Sequence, residues 1–241
     1  MIVILTDFAD SEFLGMIKGV LKQYAPDAEI IDLCNTIQPQ NIREGAWVLS
    51  ASYRYFPKST VFLCVIDPGV GTARQAVAVQ TENYYFVGPD NGLLWEAASH
   101  DGIQKVVALK TSGASQTFQG RDVFAPAAAK IQESKTILSL GNKTRLRKKL
   151  TFFKRGRAGE IVRIDSFGNI ITNITHLNKK QYKVKLKRFE ESLKFYSAYA
   201  AAPKGKLFLI TSSARTLEIA IKGESANQRL NVEVGQRVTI S

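Results

Sequence analysis

Residues 1–24, MIVILTDFADSEFLGMIKGVLKQY, set the reading of the fold. Ile2 to Leu5 is a short apolar run that ends in a polar turn. Phe13, Ile17, Val20, Leu21 and Tyr24 then recur at helical spacing, which predicts strand, turn, helix. Working outward, Glu29 to Leu33 reads as a second strand and Asn41 to Tyr55 as a helix that stops before Pro57. Thr60 to Ile66 reads as a third, buried strand. Apolar strands alternating with amphipathic helices predict an α/β domain with a mainly parallel sheet flanked by helices. Ligands of such sheets bind beyond the carboxyl ends of the strands. The turn after strand one (Thr6 to Ser11) and the turn after strand three (Asp67 to Arg74) should therefore face one pocket.

Further along, Ala76 to Val79 and Tyr84 to Val87 are strand-like, and Val123 to Gln132 reads as a helix. The pattern then changes to short runs of Val, Ile, Leu and Phe at Glu160 to Ile164, Tyr182 to Leu186, Leu207 to Ile210, Leu217 to Ile221 and Arg237 to Ile240. A smaller, β-barrel-like C-terminal domain fits these runs better than more strand–helix units. The expected division is an α/β domain over 1–142, a basic linker over 143–157 and a β-rich domain over 158–241.

The chain has 241 residues, 45% of them hydrophobic and 22% charged, as in a globular protein with a sizeable core. No apolar run approaches the ~20 residues of a membrane span, so no membrane insertion is expected. The start lacks the basic and long apolar regions of a secretory signal, and Cys34 and Cys64 are the only cysteines, so a reducing cytoplasm is the expected compartment. Cys34, Cys64, His100 and His176 have no spacing suited to a zinc site, and no metal is expected. Residues 1–142 carry 11 Lys and Arg against 14 Asp and Glu, whereas 143–241 carry 22 against 7. The +12 of the chain thus comes from its second part. Eight cations lie in Lys143 to Arg157 and six in Lys179 to Arg188. Such runs are more often solvated faces than nucleic-acid surfaces, and no nucleic-acid motif accompanies them.

Four segments place polar residues or glycine where elements end. They are Thr6-Asp7-Phe8, Asp67-Pro68-Gly69-Val70-Gly71-Thr72-Ala73-Arg74, Thr117-Phe118-Gln119-Gly120-Arg121-Asp122, and Asp165-Ser166-Phe167-Gly168-Asn169 with Thr172-Asn173. In the second, Pro and two Gly fix a turn that can return Arg74 to Asp67. Such a pair can orient a water and stabilise charge developing on it; on spacing alone it can equally be a structural ion pair. Asp7 can accept ribose hydroxyls at a strand end or cap the following helix. Phe118 and Phe167 can sandwich a purine or belong to the core. Asp122 reads as a helix cap, with Arg121 as its partner.

Together these segments resemble the S-adenosylmethionine hydroxide adenosyltransferases, relatives of the fluorinase and chlorinase. Further landmarks are Lys18-Gly19-Val20, Glu44-Gly45-Ala46, Gly88-Pro89-Asp90-Asn91-Gly92-Leu93-Leu94, Phe124-Ala125-Pro126 and Leu217-Glu218-Ile219-Ala220. The resemblance spans nearly the whole chain. It implies a hydrolase that splits S-adenosylmethionine, its substrate and not a cofactor, at C5′ into adenosine and methionine. It also implies a homotrimer whose sites lie between the large domain of one subunit and the small domain of the next. By the same resemblance Asp67 and Arg74 are catalytic and Asp7, beside Phe8, holds the ribose. Asp165, Asn169 and Ser213 meet the methionine part, while Phe118, Phe167, Glu218, Ile221 and Gly223 surround the adenosine side.

Three positions depart from the family pattern. Gln119 stands where hydroxide-using members carry a His; Gln can orient a water but does not titrate near neutral pH. Ala9 stands in place of a Gly in a turn one residue shorter. Ser213-Ala214-Arg215 lacks the Gly that usually follows the serine. The exchange at 119 leaves open an adenosyl transfer to another nucleophile, or an adenosyl-ligand-binding protein without turnover.

Overall fold

A computed structural model describes residues 1–241, which divide into two compact units, Met1–Thr151 and Phe152–Ser241. The first unit contains β1 (Ile2–Thr6), α1 (Glu12–Tyr24), β2 (Ile30–Cys34), α2 (Ile42–Ser52), β3 (Val61–Val65), β4 (Ala76–Thr81), β5 (Tyr85–Pro89), α3 (Trp95–His100), β6 (Ile103–Leu109), α4 (Ala125–Ser134) and β7 (Gly141–Lys143). Its seven strands form one sheet in the order β2-β1-β3-β5-β4-β6-β7. The β2-β1-β3-β5 half is parallel and the β5-β4-β6-β7 half antiparallel, so the sheet is mixed. β4 and β5 pair antiparallel because only a short turn, residues 82–84, joins them.

Strands buried on both faces read as unbroken apolar runs, and β1 and β3 are buried at every position. Ile2, Ile4, Val61, Leu63 and Val65 pack with Leu14, Ile17 and Leu21 of α1 and the alanines of α4. Across the sheet, Phe62 stacks on Phe86 at 5.3 Å between ring centroids, with Tyr53 and Tyr84 edge-on. Two features bring α2 onto the sheet. Asn41 accepts the Glu44 amide N–H at 3.0 Å as N-cap, while buried Glu44 reaches back to the Gln38 N–H at 3.2 Å. Gly45 removes a side chain whose Cβ would stand 2.1 Å from Ile66 Cδ1.

Residues 143–151 of the basic run belong to the first unit. Leu146 is buried, Asp90 accepts the Arg147 N–H at 2.9 Å, and Arg43 donates to the Thr151 carbonyl at 2.8 Å. No helix of the protein is long and apolar enough to cross a membrane.

The second unit contains β8 (Ala158–Ile164), β9 (Ile170–Thr175), β10 (Gln181–Leu186), β11 (Phe189–Lys194), β12 (Leu207–Thr211), β13 (Thr216–Ile221), α5 (Ala226–Leu230) and β14 (Arg237–Ile240). The strands run in the order β11-β10-β14-β8-β9-β13-β12, antiparallel throughout. The chain just after β11 then meets β12, where the Tyr196 N–H donates to the Leu209 carbonyl at 2.9 Å, and the sheet nearly closes into a barrel. Ile161, Ile174, Tyr182, Val184, Leu217, Ile219 and Ile240 fill its interior.

Candidate active site

Because β1 and β3 are neighbours in parallel register, with Thr6 beside Val65, their carboxyl ends deliver Asp7 and Asp67 to the same edge. A cleft of about 370 Å³ opens there, lined by Asp7, Phe8, Phe13, Gln40, Asp67, Pro68, Val70, Phe118, Gln119 and neighbouring residues. Both turns expected to share a pocket do so.

The turn after β3 folds as its sequence predicts. Asp67 O accepts the Val70 N–H, and Gly69 O accepts both the Thr72 N–H (3.1 Å) and its hydroxyl (2.7 Å). Gly71 has φ +77°, and a Cβ there would stand 2.5 Å from the Gln116 carbonyl oxygen, so glycine is needed both for the turn and for its close approach to the next loop. Arg74 thereby returns to Asp67. Its Nε donates to Asp67 Oδ1 at 2.9 Å and its Nη2 to Asp67 Oδ2, a two-pronged pair with both side chains nearly buried. Nη2 also donates to Gln119 Oε1 at 2.7 Å, and the guanidinium lies over the Phe124 ring at 5.3 Å. Asp67 and Gln119 line the cleft, whereas Arg74 holds them from the protein side.

Gln119 leads into a five-residue π turn, Gly120–Phe124, that feeds α4, with Pro126 in the first turn of that helix where its missing N–H costs nothing. Asp122 does not cap that helix. It pairs with Arg121 at 2.6 Å and accepts the Ser115 N–H at 2.9 Å, which ties down the loop before the site. The hydrogen bonds from Arg121 hold its carboxyl below the usual range.

Asp7 does not cap α1 either, since Ser11 occupies the N-cap position. Asp7 Oδ2 instead accepts the Gln40 N–H at 2.7 Å, which fixes the carboxylate at the cleft and leaves lone pairs free. The turn after it is strained: Ala9 adopts φ 52°, a conformation that glycine takes more readily, and its N–H is held by the Asn35 carbonyl at 2.6 Å. Phe118, Phe8 and Phe13 pack edge-to-face or tilted, with centroids 5.2–6.1 Å apart, as an apolar wall of the cleft.

The second unit carries another cleft, of about 850 Å³, lined by Asp165, Phe167, Asn169, Tyr199, Ile221, Gly223, Ser225 and others. Asp165 organises its own loop: Oδ1 accepts the Phe167 and Asn169 N–H groups at 2.9 Å each, and Oδ2 accepts Asn169 Nδ2 at 2.9 Å. Phe167 is 78% exposed, so it is no core residue. Gly168, at φ +78°, lets this turn sit on Ser225, the N-cap of α5. Glu218, buried in β13, accepts a short hydrogen bond from the Tyr199 hydroxyl; burial first, with the nearby Asp165 charge adding to it, pushes its carboxyl above the usual range. Tyr199 is not singled out by the sequence, because it sits in an isolated 3-10 turn (Tyr199–Ala201) without periodicity. Ser213 is exposed in the turn between β12 and β13, outside the lining of the cleft. Thr172 and Asn173 are structural: Thr172 Oγ1 donates to the Leu217 carbonyl at 2.7 Å, and Asn173 bonds Glu160 N and Phe153 O.

The first unit thus presents two carboxylates, one of them held by a guanidinium, in a cleft at the ends of adjacent parallel strands, and the second unit carries its own aromatic and carboxyl-bearing cleft. The sequence matches the SAM hydroxide adenosyltransferase N-terminal domain over residues 2–141 and the C-terminal domain over residues 159–239. The chain belongs to the SAM hydroxide adenosyltransferase family. It is 35% identical to an (R)-S-adenosyl-L-methionine hydrolase from Methanocaldococcus jannaschii, covering 99% of this chain and 95% of that one. With an (R)-S-adenosyl-L-methionine hydrolase from Salinispora arenicola the identity is 33%, over 98% and 95%. The crystal structure of an uncharacterized conserved protein from Thermotoga maritima superposes with a TM-score of 0.91 at 34% identity, over 100% of both chains.

Proposed function

We propose that this protein hydrolyses S-adenosylmethionine at C5′, giving adenosine and methionine. The observation that carries the reading is the Asp67–Arg74–Gln119 hydrogen-bonded set at the edge of a cleft that also presents Asp7. A structural ion pair would not need to expose its carboxylate to a cavity beside a second carboxylate.

The chemistry asks little of the protein beyond geometry and an activated water. Water oxygen forms a bond to C5′ as the C5′–S bond breaks. The bonding pair returns to sulfur, which leaves as a neutral thioether and needs no proton. The water proton passes to Asp67, whose oxygens keep an accepting lone pair while they bind Arg74. Arg74 positions that carboxylate and balances its charge, and Gln119 offers a second hydrogen-bonding group at the cleft. The two carboxylates, Asp7 and Asp67, suit a substrate that arrives with a sulfonium cation. Asp7 holds the ribose hydroxyls, with Phe8 and Phe118 on the apolar wall.

Asp165, Asn169, Phe167, Ile221, Gly223, Glu218 and Ser213 supply the remaining contacts from the second unit of a neighbouring subunit in a homotrimer. The exposure of Phe167 supports this, since an aromatic at the rim of a cleft gains most from burial against a partner or ligand. The absence of an imidazole at 119 is the feature that favours the second reading, an adenosyl transfer with another nucleophile or binding without turnover.

The test is incubation with each sulfonium epimer, first without halide and then with chloride, following adenosine, methionine and any 5′-chloro product. Adenosine and methionine formed without halide support hydrolysis. A halide-dependent product, or binding without product, overturns it.

A further inference from the structure

A concavity of about 1120 Å³ in the first unit lies apart from the candidate active site. It runs along β6, β7 and the strap that follows, and its lining includes Lys105, Lys143, Arg145, Arg147, Lys149 and Trp95. No Asp or Glu lines it, and none of the five cations has a carboxylate within 4.0 Å. By contrast, the cations of the β10–β11 hairpin are partly neutralised: Lys183 and Lys185 both pair with Glu190.

The strap is built to present these charges. Lys143, Arg145 and Arg147 are exposed, while Thr144 and Leu146 turn inward, the alternation of an extended segment. At that period successive outward cations are ~7 Å apart. The main chain is fixed at several points. The Thr144 N–H donates to the Val106 carbonyl at 2.9 Å, and the buried Asp90 carboxylate accepts the Arg147 N–H at 2.9 Å and the Lys148 N–H at 3.3 Å. Gly92, at φ +103°, removes a Cβ that would stand 2.8 Å from Leu150 Cβ. Trp95, half-buried, gives the groove an aromatic wall with Lys149 Nζ 4.9 Å from its ring centroid. Evenly spaced unpaired cations on a fixed backbone, in a concave surface with an aromatic side, match the design of sites that follow a single nucleic-acid strand. A flat anionic membrane would not enter the concavity.

We propose that this groove binds the sugar–phosphate backbone of single-stranded nucleic acid, with Lys105, Lys143, Arg145, Arg147 and Lys149 on the phosphates. This binding is independent of the adenosyl chemistry and uses none of its residues.

The test is fluorescence anisotropy of a labelled oligouridylate 12-mer with the full chain over a salt series. Five neutralised phosphates predict that log K falls against log salt with a slope of about −3.5. Arg145→Ala/Arg147→Ala should weaken binding by about tenfold or more and reduce the slope by about 1.4. Both side chains are exposed and the strap is held through its backbone, so the variant should fold, and its adenosyl turnover should be unchanged. Lys183→Ala/Lys185→Ala removes the same charge elsewhere and should leave the affinity within about twofold. Failure of the wild-type protein to bind the 12-mer at about 50 mM salt overturns the proposal. So does equal weakening by the two double variants, or binding only to phosphatidylserine–phosphatidylcholine vesicles.

Discussion

Gln119 Oε1 accepts a hydrogen bond from Arg74 Nη2 at 2.7 Å, and Gln119 is itself buried at the wall of the cleft. Gln119 is therefore tied into the charged pair, and it constrains how Arg74 holds Asp67. Gln119→Leu would leave a buried guanidinium N–H without that acceptor, at a cost of about 1–3 kcal/mol. Thermal unfolding should show the loss directly. Gln119→His should raise the hydrolysis rate if proton transfer limits turnover; an unchanged rate in stopped-time assays would mean that Asp67 alone suffices.

Asp67→Asn is nearly isosteric and removes the proposed proton acceptor together with one of the two hydrogen bonds from Arg74. The expected result is a ~10²–10⁴-fold fall in kcat with little change in ligand affinity. Quench-flow kinetics and calorimetric titration separate the two. Normal turnover would remove Asp67 from the mechanism.

Gly71→Ala tests the turn that returns Arg74. A side chain at φ +77° with its Cβ 2.5 Å from the Gln116 carbonyl should cost about 1–3 kcal/mol and impair turnover together with stability. Gly113 also has positive φ but meets nothing within 4 Å, so Gly113→Ala should cost less and leave turnover intact.

Glu218 predicts a pH dependence of stability. Its carboxyl titrates above the ordinary value of 4.5 in the folded chain, so between those two values the folded state binds more protons than the unfolded state. Its contribution to stability is therefore full at pH below 4.5 and is lost as pH rises through the folded value. In the absence of ligand, Glu218→Gln should melt higher than wild type at neutral pH, and the gap should close as the pH falls below the ordinary value. A constant difference at all pH values would remove the titration from the explanation.

The proposed homotrimer predicts a solution mass three times the 26.7 kDa of the chain by light scattering. A monomer with full hydrolase activity would overturn the assignment of Asp165, Asn169 and Phe167 to a neighbouring subunit's site.

The parallel half of the sheet was legible because β1 and β3 are buried on both faces and bounded by polar turns. The same reading brought Asp7 and Asp67 together, since adjacent parallel strands end at one edge. Four strands escaped it for different reasons, and β7, Gly141–Lys143, is simply too short to carry a period. In β6 the buried residues lie in the second part, and Gln104 and Lys105, just after its partly buried first residue Ile103, are exposed. In β9 the buried Thr172 and Asn173 looked like functional residues, yet they satisfy backbone groups of neighbouring segments. Nearly all of β11 is exposed or polar, so it carries no apolar period to read. The Tyr199–Glu218 contact was likewise hidden, because it joins a short 3-10 turn to a strand and neither predicts the other.

The hydrogen bond from the Gln40 main chain to Asp7 makes position 40 depend on backbone conformation and loop length more than on a hydrogen-bonding side chain. Residues that tolerate φ 65°, glycine and asparagine foremost, can supply the N–H; proline, which has none, cannot. Among natural sequences with this architecture, residue 40 should thus vary among types that accept a left-handed backbone while the number of residues between β2 and α2 stays constant. The placing of the Asp7 carboxylate is inherited as a spacing, not as a pair of matched side chains.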